Sequence, residues 1–215
     1  WLHYKQNESG RYDRVDSPIN ENFDPETMIV FSPRQVTLPP KARQRVRMSL
    51  RKPPNLPDGE YRAHLKLQSI GGGKAAQAGI DEGLQAKVDV NIGYALPVII
   101  RQGATNVAVT VSDPQFKAAP GGKDNRPRLE VKLNRTGTHG AMGRLVVYWR
   151  ASNGSQEQQI GEMNNVNVFP EVNFRTALIP LSETNVNSGS IRIVYEGDGI
   201  DKGKIFDEQV FPIGG

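Results

Sequence analysis

"LQAKVDVNIGYALPVIIRQG", residues 84–103, changes its pattern halfway. Leu84, Ala86, Val88, Val90 and Ile92 fall on one face of an extended strand, and Gln85, Lys87, Asp89 and Asn91 on the other. A period of two marks a strand with one wet and one dry side. From Tyr94 to Ile100 (YALPVII) both faces read dry, apart from the Tyr94 phenol. The dry side of the first half must meet either the chain's own core or another molecule.

The same period recurs in "TMIVFS", "QRVRMSL", "EYRAHLKLQSI", "NVAVTVS", "RLEVKLN", "RLVVYWRAS", "FRTALIPL", "SIRIVYEG" and "FDEQVFPI". Clusters rich in Gly, Pro, Asn and Asp separate these runs, among them "KPPNLPDG", "SIGGGKAAQAG" and "NRTGTHGAMG". No stretch sustains a helical period over three turns. The pattern predicts an all-β sandwich class. "IIRQGATN" is the expected boundary, dividing residues 1–102 from 103–215 into two portions of immunoglobulin-domain size. "DPQFKAAPGGKDNRPR" reads as a long surface excursion. Trp1 already reads as lying inside a strand, so the opening strands of the first domain, and any targeting segment, are expected to lie outside these residues.

Composition narrows the chemistry. The 215 residues hold no cysteine, which removes disulfides, thiolate metal sites and cysteine nucleophiles. Net charge is +4, but the cations are spread along the chain with few interleaved aromatics, a poor footprint for nucleic acid. No window approaches the roughly 18 apolar residues of a membrane span. "GGGKA" fails the phosphate-loop spacing: Ala75 stands where Ser or Thr is needed and Gln68 where the first glycine belongs. His3, His64 and His139 lie far apart, and His64 alternates with Arg62 and Lys66 on what reads as a wet face. No catalytic residue, metal site or cofactor is expected.

Two further stretches carry expectations. "KARQRVRMSLRK" places Lys41, Arg43, Arg45, Arg47 and Arg51 on one side of a strand. Val46, Met48 and Leu50 take the other, so the cations should face solvent and the apolar set should be buried. The cationic side is either a solvated face or a docking stripe for an acidic surface. Glu60 stands at the entrance of "EYRAHLKL" and Arg101 at the domain junction, a carboxylate and a guanidinium suited to a bidentate bridge.

"FSPRQVTLPPKARQRVRM", "LPDGEYRAHLKL" and "VDVNIGYALPVIIRQG", in this order, resemble the N-terminal domain of periplasmic pilus and fimbrial assembly chaperones of the PapD-like type, in a divergent branch. "LEVKLNRTGTHGAMGRLVVYW" and "GSIRIVYEGDG" extend the likeness more loosely into the second half. The resemblance implies two immunoglobulin-like β-sandwich domains in a boomerang arrangement, located in the periplasm. Their partners would be pilus or fimbrial subunits and an outer-membrane usher.

In that family strand G is lent to an incomplete subunit fold by strand addition. Carried onto this chain, the subunit-binding residues are Val88, Val90, Ile92 and Tyr94, and "YALPVII" becomes a buried half running to the junction. In the free protein the lent residues should be exposed or covered by a second copy. The family's interdomain salt bridge maps onto Glu60 and Arg101, with Asp201 as a third member. The family also anchors the subunit's terminal carboxylate with a basic residue on strand A and a lysine late in strand G. Trp1 aligns with the start of strand C and the lysine position is Pro97, so that anchor maps to no residue here. The alternative reading is a two-domain immunoglobulin-like structural or adhesion module of the cell surface.

Overall fold

A computed structural model of the chain describes residues 1–70, 76–77, 87–88, 92–119, 125–152, 154, 156–183 and 185–214, with backbone alone at 76–77 and 87–88. The protein is all-β, with one short α-helix and one 3-10 turn among the described residues. The chain divides into two compact units. The first comprises residues 1–4, 14–56 and 61–100; the second comprises 5–13, 57–60 and 101–215.

The strands outside the second unit's two sheets pair two by two among the described residues. β1 (His3–Gln6) pairs with β2 (Tyr12–Val15), each strand being divided between the two units. Asp24 caps helix α1 (Pro25–Met28) by accepting a hydrogen bond from the Glu26 N–H, and Pro25 fills the first turn where no N–H is needed. β3 (Ile29–Ser32) pairs antiparallel with β4 (Arg47–Leu50), β5 (Gly59–Gln68) pairs with β8 (Gly93–Gln102), and β6 (Ala76–Gln77) with β7 (Lys87–Val88). The first unit's core cluster holds Met28, Leu56, Tyr61 and Ile100, with Phe23 and Ile29 packed against it.

Two expectations fail in this unit. The cations of "KARQRVRMSLRK" are exposed as expected, but Val46, Met48 and Leu50 are exposed too, at 38, 46 and 46%. The register is sound, since Met48 pairs with Phe31 and Leu50 with Ile29 on the core-ward side. What is missing is cover: β3 and β4 form a two-stranded sheet among the described residues, and one ribbon cannot bury its own face. The face of β5 bearing Arg62 and His64 is also drier than expected. Leu2 and His64 exchange backbone hydrogen bonds at 2.9 and 2.8 Å, and Tyr4 stands edge-on to the imidazole at 4.8 Å. Arg62 is buried.

Burial, with the charges of Arg62 and His3 adding to it, holds His64 below its ordinary value. The unfolded chain therefore binds a proton near pH 6.5 that the folded one refuses. Stability is full above that pH and falls as the pH drops below it. The urea midpoint of the first unit should be lower at pH 5.5 than at 7.5, and His64→Asn should flatten that difference; an unchanged difference would place its origin elsewhere.

In the second unit strict alternation meets its partner sheet. β9 (Val107–Lys117), β10 (Arg128–Gly137) and β13 (Phe174–Pro180) form a three-stranded antiparallel sheet with β10 central. β12 (Gln158–Met163), β11 (Gly143–Arg150), β14 (Gly189–Gly197) and β15 (Ile205–Ile213) form a four-stranded one. Val107, Val109 and Val111, Leu129, Val131 and Leu133, and Ala177 and Ile179 enter the core at every second residue. From the other sheet come Leu145, Val147, Ile160, Ile191, Ile193 and Tyr195, the last donating its hydroxyl to the Val166 carbonyl at 2.6 Å. The excursion expected from Asp113 starts later. β9 runs on to Lys117 across a bulge, where Asp113 takes φ 53° and the pairing of β10 passes from Gln115 to Ser112. Pro114 sits inside that bulge, where no ladder donor is required. The "GGGKA" stretch at 71–75 lies outside the described residues.

The segment 5–13 docks within this unit. The Gln6 amide donates to the Asn167 carbonyl at 3.0 Å and accepts from the Phe169 N–H at 2.9 Å, while the Glu8 carbonyl accepts from the Thr176 N–H. Gly10, at φ 79°, sits directly on the buried Arg175 guanidinium, and a Cβ there would lie 2.2 Å from Nε. Gly10→Val meets both a left-handed backbone and that clash. It should cost about 1–3 kcal/mol and accelerate tryptic cleavage at Arg11; unaltered cleavage would show that the turn is not held by this contact.

Candidate functional site

β8 carries the feature that the sequence singled out. The Ser69 N–H donates to the Ile92 carbonyl at 3.0 Å, Tyr61 and Ile100 share one core cluster, and Arg101 bonds Glu60. All three contacts fit one antiparallel register of β5 against β8, which we infer from them. One face of the β5–β8 pair therefore bears Leu67, Leu65, Ala63 and Tyr61 beside Ile92, Tyr94, Leu96, Val98 and Ile100. Burial along that face is graded: Ile100 is 4% exposed and Val98 half-buried, whereas Leu96, Tyr94 and Ile92 are 47, 66 and 60% exposed. The apolar ladder continues after its cover ends.

This corrects the reading of "YALPVII" as a buried half. Tyr94, Ala95, Leu96 and Pro97 are exposed, and burial begins at Val98. An apolar composition on both faces requires layers on both faces, and among the described residues this part of the strand has neither. Ile92, expected to be exposed, is exposed, and Tyr94, which falls in the half read as buried, is exposed as well. Val88 is placed in β7 without its side chain, and Val90 lies outside the described residues. Leu96 joins the ladder unanticipated, although its even spacing from Tyr94 was the available signal. Among the described residues β8 has one neighbour, β5, so its outer backbone edge is open.

The second grouping is charged and buried. Arg101 Nε donates to Glu60 Oε2 at 3.0 Å, and Nη1 and Nη2 donate to the two oxygens of Asp201, each at 3.2 Å. Nη2 also donates to the Gly140 carbonyl at 2.8 Å. Glu60 Oε2 accepts from the Gly140 N–H at 3.1 Å, and Asp201 Oδ2 from the Met142 N–H at 3.3 Å. The structure thus brings together the three residues expected to form one bridge, and all three group with the second unit. Burial disfavours the charged guanidinium, but the hydrogen bonds to Asp201 and the charge of Glu60 outweigh it and hold Arg101 above its ordinary value. Asp201 is delivered by the 3-10 turn Gly199–Asp201, capped by Asp198. Gly140 is required by close approach, since a Cβ there would lie 2.9 Å from Glu60 Oε1 and 2.8 Å from the Phe169 ring.

The histidines play separate parts. His139 is fully buried, with Nδ1 accepting from the Asn106 N–H at 3.2 Å and Nε2 bonded to the Gln102 carbonyl at 3.1 Å. His3 Nε2 stands 3.5 Å from Asp24 Oδ2, and with Glu26 these groups offer ligand atoms within 4.8 Å of one another. This mixed nitrogen and oxygen set could take a divalent cation, though Asp24 Oδ1 is already engaged by the Glu26 N–H.

Neither a protein-family model nor a curated protein sequence matches this chain.

Proposed function

We propose that this chain is a periplasmic chaperone for pilus or fimbrial subunits, built from two immunoglobulin-like domains. In this reading the stretch of sequence bearing Val88, Val90, Ile92 and Tyr94 is lent to an incomplete subunit fold, and the complex is passed to an outer-membrane usher. The observation that carries it is the exposed ladder Ile92–Tyr94–Leu96 on a strand whose outer edge has no partner among the described residues. Proteins normally blunt such edges, and an edge left apolar and unpaired is one that is used. Strand addition needs both features: free backbone groups for affinity and alternate apolar side chains for pockets. The three motifs that resemble the PapD-like chaperones add the class of partner. The buried Glu60–Arg101–Asp201 cluster plays a structural part in this reading and no catalytic one.

Co-expression with an aggregation-prone fimbrial subunit tests the proposal directly. The subunit should become soluble and copurify in a one-to-one complex. A subunit that stays insoluble beside abundant folded chain would favour a structural or adhesive surface module instead.

A further inference from the structure

We propose that Pro97 is a stop for strand addition, ending the partner's backbone ladder on β8 before the strand enters its own core. This rests on the strand-lending reading above. The Ile92 carbonyl points at β5, because it accepts from the Ser69 N–H. Backbone groups in an antiparallel strand alternate sides, so those of Tyr94, Leu96, Val98 and Ile100 also point at β5. Those of Gly93, Ala95, Pro97 and Ile99 point at the open edge. β5 obeys the same alternation: His64, whose groups should face away from β8, exchanges both its hydrogen bonds with Leu2.

Pro97 has no N–H to lose toward β5, and its absent donor falls on the outer edge. That edge offers donors at Gly93 and Ala95, none at 97, and one at Ile99. An incoming strand that continued past Ala95 would set a carbonyl against the proline ring with no donor to receive it. Pairing is therefore limited to the stretch before Pro97, where the flanking side chains Ile92, Tyr94 and Leu96 are the exposed ones. The occupant is an extended partner strand, apolar on the side it lays beside this ladder. The same gap keeps a second copy of the chain from pairing along the full length of β8.

The probe is a blocked octapeptide of alternating valine and threonine, followed by amide hydrogen exchange on the intact chain. In the native protein the peptide should slow exchange at Gly93 and Ala95 about tenfold or more and leave Ile99 unchanged. In Pro97→Ala the amides of residues 97 and 99 should join the slowed set, and the peptide should bind about three- to tenfold tighter through the restored donor. Ala95→Pro, which also leaves the bonds to β5 intact, should move the stop and remove peptide binding. Slowing of Ile99 in the native protein, or a Pro97→Ala variant with the same protected set and affinity, overturns the stop while strand capture stands. If the peptide slows none of these amides in either protein, capture at this edge fails and the stop with it.

Discussion

Replacing Arg101 with Met should destabilise the second unit by about 3–5 kcal/mol, because it strands two carboxylates where water does not reach. The side chains of Arg101, Glu60 and Asp201 are 11, 0 and 6% exposed. The attraction lost is only part of the cost. Most of it is the penalty of leaving Glu60 and Asp201 ionised and buried without their shared cation. Two comparisons separate these contributions. Arg101→Lys keeps the charge but gives up the fork that serves Glu60, Asp201 and the Gly140 carbonyl together, and it should recover only part of the loss. The triple variant Glu60→Gln, Arg101→Met, Asp201→Asn removes every charge and should be more stable than Arg101→Met alone. A domain of this size is stable by about 5–15 kcal/mol, so the single substitution should be plain in a urea melt. A loss below about 1 kcal/mol would show that the cluster is solvated in practice and holds nothing in place.

What the sequence disclosed follows from how many layers each strand meets. In the second unit alternation and structure agree because two sheets face one another. Val107, Val109 and Val111 could be read as inward from spacing alone. The continuation of β9 past Asp113 was not legible, since Asp-Pro is a turn signal and only the pairing with β10 turns it into a bulge. In the first unit the same pattern rules assigned Val46, Met48 and Leu50 to a core. Periodicity names the apolar side of a strand but not whether anything covers it. The "YALP" stretch fails for that reason as well. Glu60 at a strand entrance and Arg101 at the expected domain junction were legible as a candidate bridge, and Asp201 only through the resemblance. Gly140 was invisible, because its role is the absence of a side chain beside Glu60.

Ile92→Asp together with Tyr94→Asp should abolish subunit capture by more than a hundredfold while leaving the thermal midpoint within about a degree or two. Both residues are more than half exposed in the free protein, and exposed substitutions generally change stability by no more than about 0.5 kcal/mol. In a captured complex each would lose roughly 1.5–3 kcal/mol of apolar burial and would push a charge into the subunit's groove. Association costs apply equally to native and variant chains, so they cancel in the comparison. The internal control lies on the same strand and the same face. Ile100 is 4% exposed within the core cluster of the first unit, and Ile100→Asp should unfold that unit. If the ladder served only the chain's own fold, all three substitutions would lower the midpoint in step with their effect on binding. If capture requires the exposed part alone, the double variant separates the two measurements and Ile100→Asp joins them. Copurification of a co-expressed subunit, run beside a thermal melt on each variant, decides between these outcomes. Capture that survives the double variant would remove Ile92 and Tyr94 from the binding surface and end the case for a lent strand at this edge.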